Sequence, residues 1–563
     1  MDMIRFPNQI ITMKKYYAII LIVLLSQTNW SQEKTTTDEY FEISKNLTIF
    51  SEVYKNINLS FVDETNPGEL MKTGIDAMLR SLDPYTNYIP ESNIEDYRMM
   101  QSGQYGGIGS LIQQREDYIL ITNPYQNFPA QKAGLKAGDK IIEIDGKSVK
   151  GKSASEVSDL LKGAKETDVK LTIERNNSSS PLEINVTREI IKMPTVPYFK
   201  MVSPELGYIK LTQFLGTSSA EVATAFKTLK DSNKLEGLIL DLRGNPGGLL
   251  NEAVNIVNLF VPQGTLVVET KGRDRQNNLK YFARNKPMDT KIPLVILIDN
   301  GSASASEIVS GTLQDLDRAV VLGNQSFGKG LVQQTKNMEY NSIIKITVAK
   351  YYTPSGRCIQ KLDYSDRNAS GKGTNISDSL VHNFTTKGGR PVTDGRGILP
   401  DIEVKNPSYS PISGALMREN IVFDFATEFY YSHSSISKAT EFQLTEKQYA
   451  EFTSFANTKD FEYRTGSEQL LEKLKEIAEN EQYYESSKEE YEALKEKLSP
   501  NKERDLARFQ KEIQELIENE IVGRYYYQDG QMELELTKDK FILEPQKTLT
   551  NKEAYNKILA PKK

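Results

Sequence analysis

The segment Gly301-Ser-Ala-Ser-Ala-Ser-Glu-Ile308 sets serines 302, 304 and 306 at alternate positions with alanine between them. A serine hydroxyl does chemistry when a neighbour takes its proton and N–H groups receive the charge that develops. The apolar run before it, IPLVILID (292–299), reads as a buried strand. After it, Ala305, Ile308, Val309, Thr312, Leu313 and Leu316 recur at helical spacing, which predicts a helix starting near Ser304 or Ala305. Ser302 then falls in the loop, Ser306 in the first turn and Ser304 at the junction. There the following N–H groups lack partners inside the helix, and the helix dipole favours negative charge. Ser304 is therefore the candidate nucleophile. A serine that merely caps the helix is the competing reading.

The proton acceptor is harder to find. The chain has two histidines, His382 and His433, both in polar surroundings and read as surface residues. That scarcity argues against a Ser-His-Asp triad and against a histidine-rich metal site. Lys329 stands between Gly328 and Gly330 in NQSFGKGLVQQ (324–334), so neither neighbour's side chain blocks a close approach. A lysine near its ordinary pKa is neutral in only about one molecule in a thousand or fewer at neutral pH. To act as a base it must be desolvated, which disfavours its charge. The same segment reads also as a phosphate-binding loop, although its spacing is not that of a P-loop, or as a plain turn. In LDLRGNPGGLL (240–250) a strand meets a turn holding Gly244, Pro246, Gly247 and Gly248. Its N–H groups either face a ligand or serve only a tight strand–helix connection. Cys358, the single cysteine, excludes an intrachain disulfide and is read as a structural strand–turn residue.

These segments need elements to position them. Residues 40–100 read as mostly helical. Residues 101–190 read as a small β-barrel with two helices, marked by an Asp-Gly hairpin signal at Asp145-Gly146. Residues 191–405 alternate strands and helices, which predicts an α/β core. NPSYSPIS reads as a linker, and residues 406–563 as a charged helical region whose charge runs are solvated faces. At 563 residues the chain is long enough for several domains. A net charge of −6 with no basic patch of interleaved aromatics gives no sign of nucleic-acid binding. Within residues 1–30, Lys14 and Lys15 precede the apolar stretch Tyr16–Leu25 and a polar exit. This predicts a secretory signal peptide, with Met13 as an alternative start and an uncleaved membrane anchor as the alternative reading; either predicts export.

Six segments occur in order: GYIKLTQF, DLRGNPGG, GSASASEI, FGKGLVQ, YYTPSGRCIQ and GILPDIEV. Together with LDPYTNYI and YGGIG…PAQKAGLKAGDKIIEIDG they resemble the C-terminal processing peptidases, or tail-specific proteases, over roughly residues 45–405. The resemblance implies a multi-domain α/β fold: a ClpP/crotonase-like peptidase core, a PDZ domain and helical N- and C-terminal regions. It implies Ser304 as nucleophile, Lys329 as base and Gln333, one helical turn later, as the residue that orients the lysine. It implies an oxyanion hole from the N–H of Ala305 and of Gly247 or Gly248. Gly107, Ile108 and Gly109 become candidates for a carboxylate-binding loop, with Ile108 and Leu111 lining a pocket for the last side chain of a peptide. Asp315 lies about 16 Å along the helix from Ser304 and is read as structural support. The chain has Tyr85 where the family often has histidine, in a region read as non-catalytic.

The expectation is an exported serine endopeptidase that uses a Ser/Lys dyad and captures protein tails through its PDZ domain. It needs no metal or cofactor. Its partners are proteins or peptides with free C-termini, with membrane association through the N-terminal segment and homo-oligomerisation left open. Ser304 and Lys329 lie on separate segments, so their approach is adjustable. A non-catalytic peptide-binding scaffold and a phosphate-binding enzyme are the competing expectations.

Overall fold

The computed structural model describes residues 39–176, 178–232, 234–368, 371–405 and 408–561. The expected signal segment lies outside them. A six-stranded sheet forms the centre, in the order Tyr198–Ser203, Leu206–Lys210, Gly237–Asp241, Leu294–Ile298, Val320–Gly323, Ile402–Glu403. The first pair is antiparallel and the rest are parallel. The middle strands GLILD and LVILI are buried at every position, as strands covered on both faces must be.

Two different layers provide that cover. Leu238, Leu240, Leu294, Ile296 and Ile298 pack with the helices Ser218–Ser232, Leu250–Asn258 and Ala305–Asp315. On the opposite face, Tyr208, Ile239, Val295, Leu297, Val320 and Leu322 pack with Phe541, Ile542, Leu549 and Tyr555 of the two C-terminal helices. The charged tail thus has an apolar side that closes the central sheet. The expected linker ends earlier than NPSYSPIS suggests. A helix already begins at Pro411, with the Ser410 hydroxyl accepting from the Ser413 N–H, because proline suits a first helical turn.

A second sheet packs against the helices Leu250–Asn258 and Ala305–Asp315 through its strand Leu266–Lys271. Strand Ser342–Tyr352 pairs with Asn87–Ile89, with Leu266–Lys271 and, through a hairpin, with Leu331–Met338. The residues from 101 to 190 form a sheet ordered Ser110–Arg115, Tyr118–Pro124, Lys140–Ile144, Asp168–Glu174, Leu182–Thr187, with helices Pro129–Lys132 and Ala154–Leu161. Among the described residues strand Ser110–Arg115 pairs with a strand on one side only, and its other edge carries no ladder partner. Helix 39–60 exposes Tyr40, Phe41, Leu47 and Leu59.

The C-terminal helical region touches both other units. The Arg115 guanidinium forks onto the Asp424 carboxylate at 2.5 Å through each nitrogen. Arg243 pairs with Asp539 at 2.8 Å. The long helix Gln510–Lys538 breaks at Tyr527, whose φ of 56° is not helical.

Candidate active site

The Ser304 turn sits at the C-terminal ends of two neighbouring parallel strands, where open α/β sheets place their ligands. Strand Leu294–Ile298 delivers the chain to Asp299, whose carboxylate accepts from the N–H groups of Gly244, Gly301 and Ser302. The Ser302 hydroxyl donates to the Leu242 carbonyl at 2.8 Å, and the Ser306 hydroxyl to the Asn245 carbonyl at 2.9 Å. Both flanking serines are thereby tied into the scaffold. Ser304 alone of the three lines a cavity of about 450 Å³, together with Gly247, Gly248, Ala305, Lys329, Gln333, Lys345 and Tyr351.

Ser304 has φ 56° and ψ −111°. A side chain in this region costs on the order of 1–3 kcal/mol, a strain held by surrounding structure and frequent at functional turns. The helix follows directly as Ala305–Asp315, as the spacing predicts. Gly247 fits tightly against the turn: a Cβ there would stand 2.8 Å from Ser304 Cβ and 2.9 Å from the Ala305 nitrogen. The Gly247 N–H is committed to Asn245 Oδ1 at 2.9 Å. The N–H groups of Gly248 and Ala305 donate to no described residue.

Glu307 organises this region, and sequence reading missed it. Its fully buried carboxylate accepts four hydrogen bonds. Oε1 takes the Ser326 hydroxyl (2.5 Å) and the Gly328 N–H (2.7 Å), while Oε2 takes the N–H groups of Ser304 (2.8 Å) and Lys329 (2.9 Å). One carboxylate thus staples the Ser304 turn to the Lys329 loop. Burial pushes its pKa up, against these hydrogen bonds. The Tyr351 hydroxyl sits between the two loops as well, 2.5 Å from the Lys329 carbonyl and 3.1 Å from that of Ser304. Glu307→Gln leaves at least one N–H facing an NH₂ in either amide orientation, Gly328 in one and Ser304 with Lys329 in the other, and removes the charge the other donors bind. We expect it to cost about 3–5 kcal/mol of stability and most of the activity. Urea unfolding and peptide hydrolysis, measured side by side, check this.

Lys329 is partly buried on the same cavity. Burial, and secondarily the nearby Lys345, pull its pKa down to about 8, while Glu307 and Asp83 oppose the shift. Its Nζ lies 4.2 Å from the ring centre of Tyr85. Among the described residues no hydrogen bond joins it to the Ser304 hydroxyl. Gln333 is on strand Leu331–Met338, not on a helical turn, and its amide donates to Thr347 Oγ1 at 3.2 Å. Lys345, on the facing strand, is a second lysine at the cavity, with its pKa lowered by burial. Asp315 is buried at 2.7 Å from Arg357 and is not among the residues lining the cavity.

In the 101–190 unit, Ile108 belongs to the buried core with Val157 and Leu161, and Gly109 has φ 71°. The N–H groups of Ile108 and Gly109 donate to no described residue, whereas Gly107 pairs with Glu189. Leu111 is half exposed and faces a different cavity, shared with Phe423, Arg524 and Tyr527 of the helical region. The structure does not bring Ile108 and Leu111 into one pocket; the pleat turns them to different surroundings.

His382 is exposed beside Asp394, and His433 stacks on Phe429. Burial pushes the Cys358 thiol up in pKa, away from a thiolate. No group of three potential metal ligands stands among the described residues.

Residues 205–365 match the model of peptidase family S41, 120–175 that of a PDZ domain, and 412–549 that of a probable PDZ-protease C-terminal helical domain. The chain is 37% identical over 331 residues to a carboxy-terminal-processing protease of Bartonella bacilliformis, covering 58% of this chain and 76% of that one. It is 34% identical over 382 residues to a probable CtpA-like serine protease of Staphylococcus haemolyticus, covering 67% and 68%. Among solved structures, the photosystem II D1 C-terminal processing protease aligns at 27% identity over 63% of this chain and 92% of its own, with a TM-score of 0.34.

Proposed function

The chain belongs to peptidase family S41, the carboxy-terminal-processing serine proteases with a PDZ domain, and on that footing we propose that it cleaves with a Ser304/Lys329 dyad. The observation that carries this reading is the shared cavity, lined by Ser304 alone of the three serines, on a strained helix-start turn, and by the desolvated Lys329, with Lys345 beside it. Neutral Lys329 takes the Ser304 proton as Oγ attacks the scissile carbonyl. The oxyanion is received by the Ala305 and Gly248 N–H groups, which donate to no described residue. Lys329 then protonates the leaving amine, and water releases the acyl-enzyme. This step requires the amine to leave the Tyr85 ring and come within hydrogen-bonding distance of Oγ.

The pH–rate profile tests it. The base must be neutral, so activity rises as Lys329 loses its proton and is half-maximal near pH 8. Lys329→Ala removes this limb with the activity. Lys329→Arg does the same, since a guanidinium stays charged. Full hydrolysis by Lys329→Ala would end the reading.

We propose further that substrate tails add as a strand along Ser110–Arg115, with the terminal carboxylate on the Ile108 and Gly109 N–H groups. The helix Ala154–Leu161 lies beside that strand. Amidation of the peptide terminus is expected to weaken binding about tenfold or more, the size of one lost charge-assisted interaction. Equal affinity of acid and amide, by fluorescence anisotropy, would rule the carboxylate loop out. Export rests on Lys14, Lys15 and Tyr16–Leu25, and cell fractionation with N-terminal sequencing tests it.

A further inference from the structure

We propose that the ring of Tyr85 is the seat of the Lys329 ammonium, making Tyr85 a positioning residue for the proton carrier of this protease. The inference rests on the dyad reading above. Tyr85 comes from LDPYTNYI, far from either catalytic loop in the chain, and three sets of contacts fix it at the site. The Asp83 carboxylate accepts from the N–H groups of Tyr85 and Thr86, which shapes the turn. The next residues, Asn87–Ile89, pair as a strand with Ile343–Lys345, so the turn is anchored to the sheet that carries Lys345 and Thr347. The Thr347 N–H donates to Thr86 Oγ1, and Gln333 donates to the hydroxyl of the same Thr347. Finally, Tyr85 meets Tyr364 edge to face, with the hydroxyls 3.2 Å apart. The ring therefore cannot turn freely, and its face is presented to Lys329 Nζ at 4.2 Å.

A fixed aromatic face in a partly dry cavity attracts an ammonium and does nothing comparable for a neutral amine. The charged groups near Lys329 do not offer an equivalent rest. Lys345, from strand Ser342–Tyr352, repels it. Glu307 is buried with its oxygens saturated by four donors, and Asp83 is engaged with its own turn. Tyr351, also close, is occupied with the two loop carbonyls. The Tyr85 face is thus where the amine waits when protonated. During turnover the Ser304 O–H bond breaks as an Nζ–H bond forms, and the ammonium is held over the ring until that proton passes to the leaving nitrogen.

The experiment is the pH–rate profile of the full chain carrying Tyr85→Phe, Tyr85→Leu or Tyr85→Trp, using an unstructured peptide with an apolar free C-terminus. Phenylalanine keeps the face, so the acidic limb stays where the wild type has it, whatever happens to kcat. Leucine fills the space without a π face, so the ammonium loses its seat and the limb moves down by about one pH unit or less. Tryptophan, the strongest partner, moves it up. A side chain that only fills space would change kcat and leave the limb in place, and admission of water would move the leucine limb up. Either result overturns the proposal. If Tyr85→Leu does not fold, by circular dichroism, the phenylalanine and tryptophan pair decides alone. Failure of the dyad itself reads differently: Lys329→Ala would then hydrolyse the peptide with the wild-type limb.

Discussion

Ser304→Ala is expected to reduce peptide hydrolysis by roughly 10⁵-fold or more while leaving the fold and tail binding intact. Neither neighbour can substitute, because the Ser302 and Ser306 hydroxyls already donate to backbone carbonyls on the far side of the turn. Alanine keeps the Cβ and with it the strain of a positive φ, so unfolding free energy should change by no more than about 0.5 kcal/mol. Glycine makes a useful companion. It enters this backbone region without a steric penalty, so Ser304→Gly is expected to be as inactive as alanine yet no less stable. Steady-state kinetics and thermal unfolding on the three proteins check both halves. Hydrolysis surviving in Ser304→Ala, with Ser306→Ala inactive instead, would move the nucleophile by half a turn and undo the site.

The distribution of what could be read from sequence follows from the range of the interactions. The start of the nucleophile helix was legible because its signal is local: a periodic apolar stripe beginning at Ala305 and small residues before it. The parallel strands were legible because burial on both faces forces unbroken apolar runs. Glu307 was not, although it sits three residues from Ser304, because its importance lies in donors from Ser326, Gly328 and Lys329 that meet it only in three dimensions. Tyr85 reads as non-catalytic in the sequence for the same reason, since the turn it belongs to is held at Lys329 by strand pairing at Asn87–Ile89. Gln333 was expected on a helical turn, but its segment LVQQTKNM is a hairpin strand whose outer half is exposed and carries little apolar alternation to announce it. In the C-terminal region the amphipathic stripes were visible. A stripe states that a face will be buried and not against what, so its packing beneath the peptidase sheet could not be seen.

That packing leads to the largest expected effect on stability. A chain ending at Lys538 keeps Ser304, Lys329, Glu307 and the whole 101–190 unit, yet it is expected to be insoluble or to unfold well below the full protein, and to be inactive. It loses Phe541, Ile542, Leu549 and Tyr555, each buried against the lower face of the central sheet. At about 1.5–3 kcal/mol for each such side chain the loss is roughly 6–12 kcal/mol, comparable to the whole stability of an ordinary domain. Specific polar contacts go with them. The Tyr555 hydroxyl lies 3.0 Å from the Leu294 nitrogen and 3.1 Å from its carbonyl, at the start of the strand that leads to the nucleophile turn. Asp539 pairs with Arg243, which in turn holds the buried Asp241 beside Lys210. Burial alone would push the Asp241 carboxyl up, but those two cations hold it well below the usual carboxylate range. Single changes grade the argument: Leu549→Ala should cost about 2–5 kcal/mol, as for other buried leucines. Leu474→Ala, on the exposed face of helix Gly466–Asn480, should cost less than about 0.5 kcal/mol. If the truncated chain stayed soluble with an unchanged urea midpoint, the final helices would be an accessory to the peptidase and not its second layer. The nucleophile turn would then owe its strained geometry to the upper helices alone.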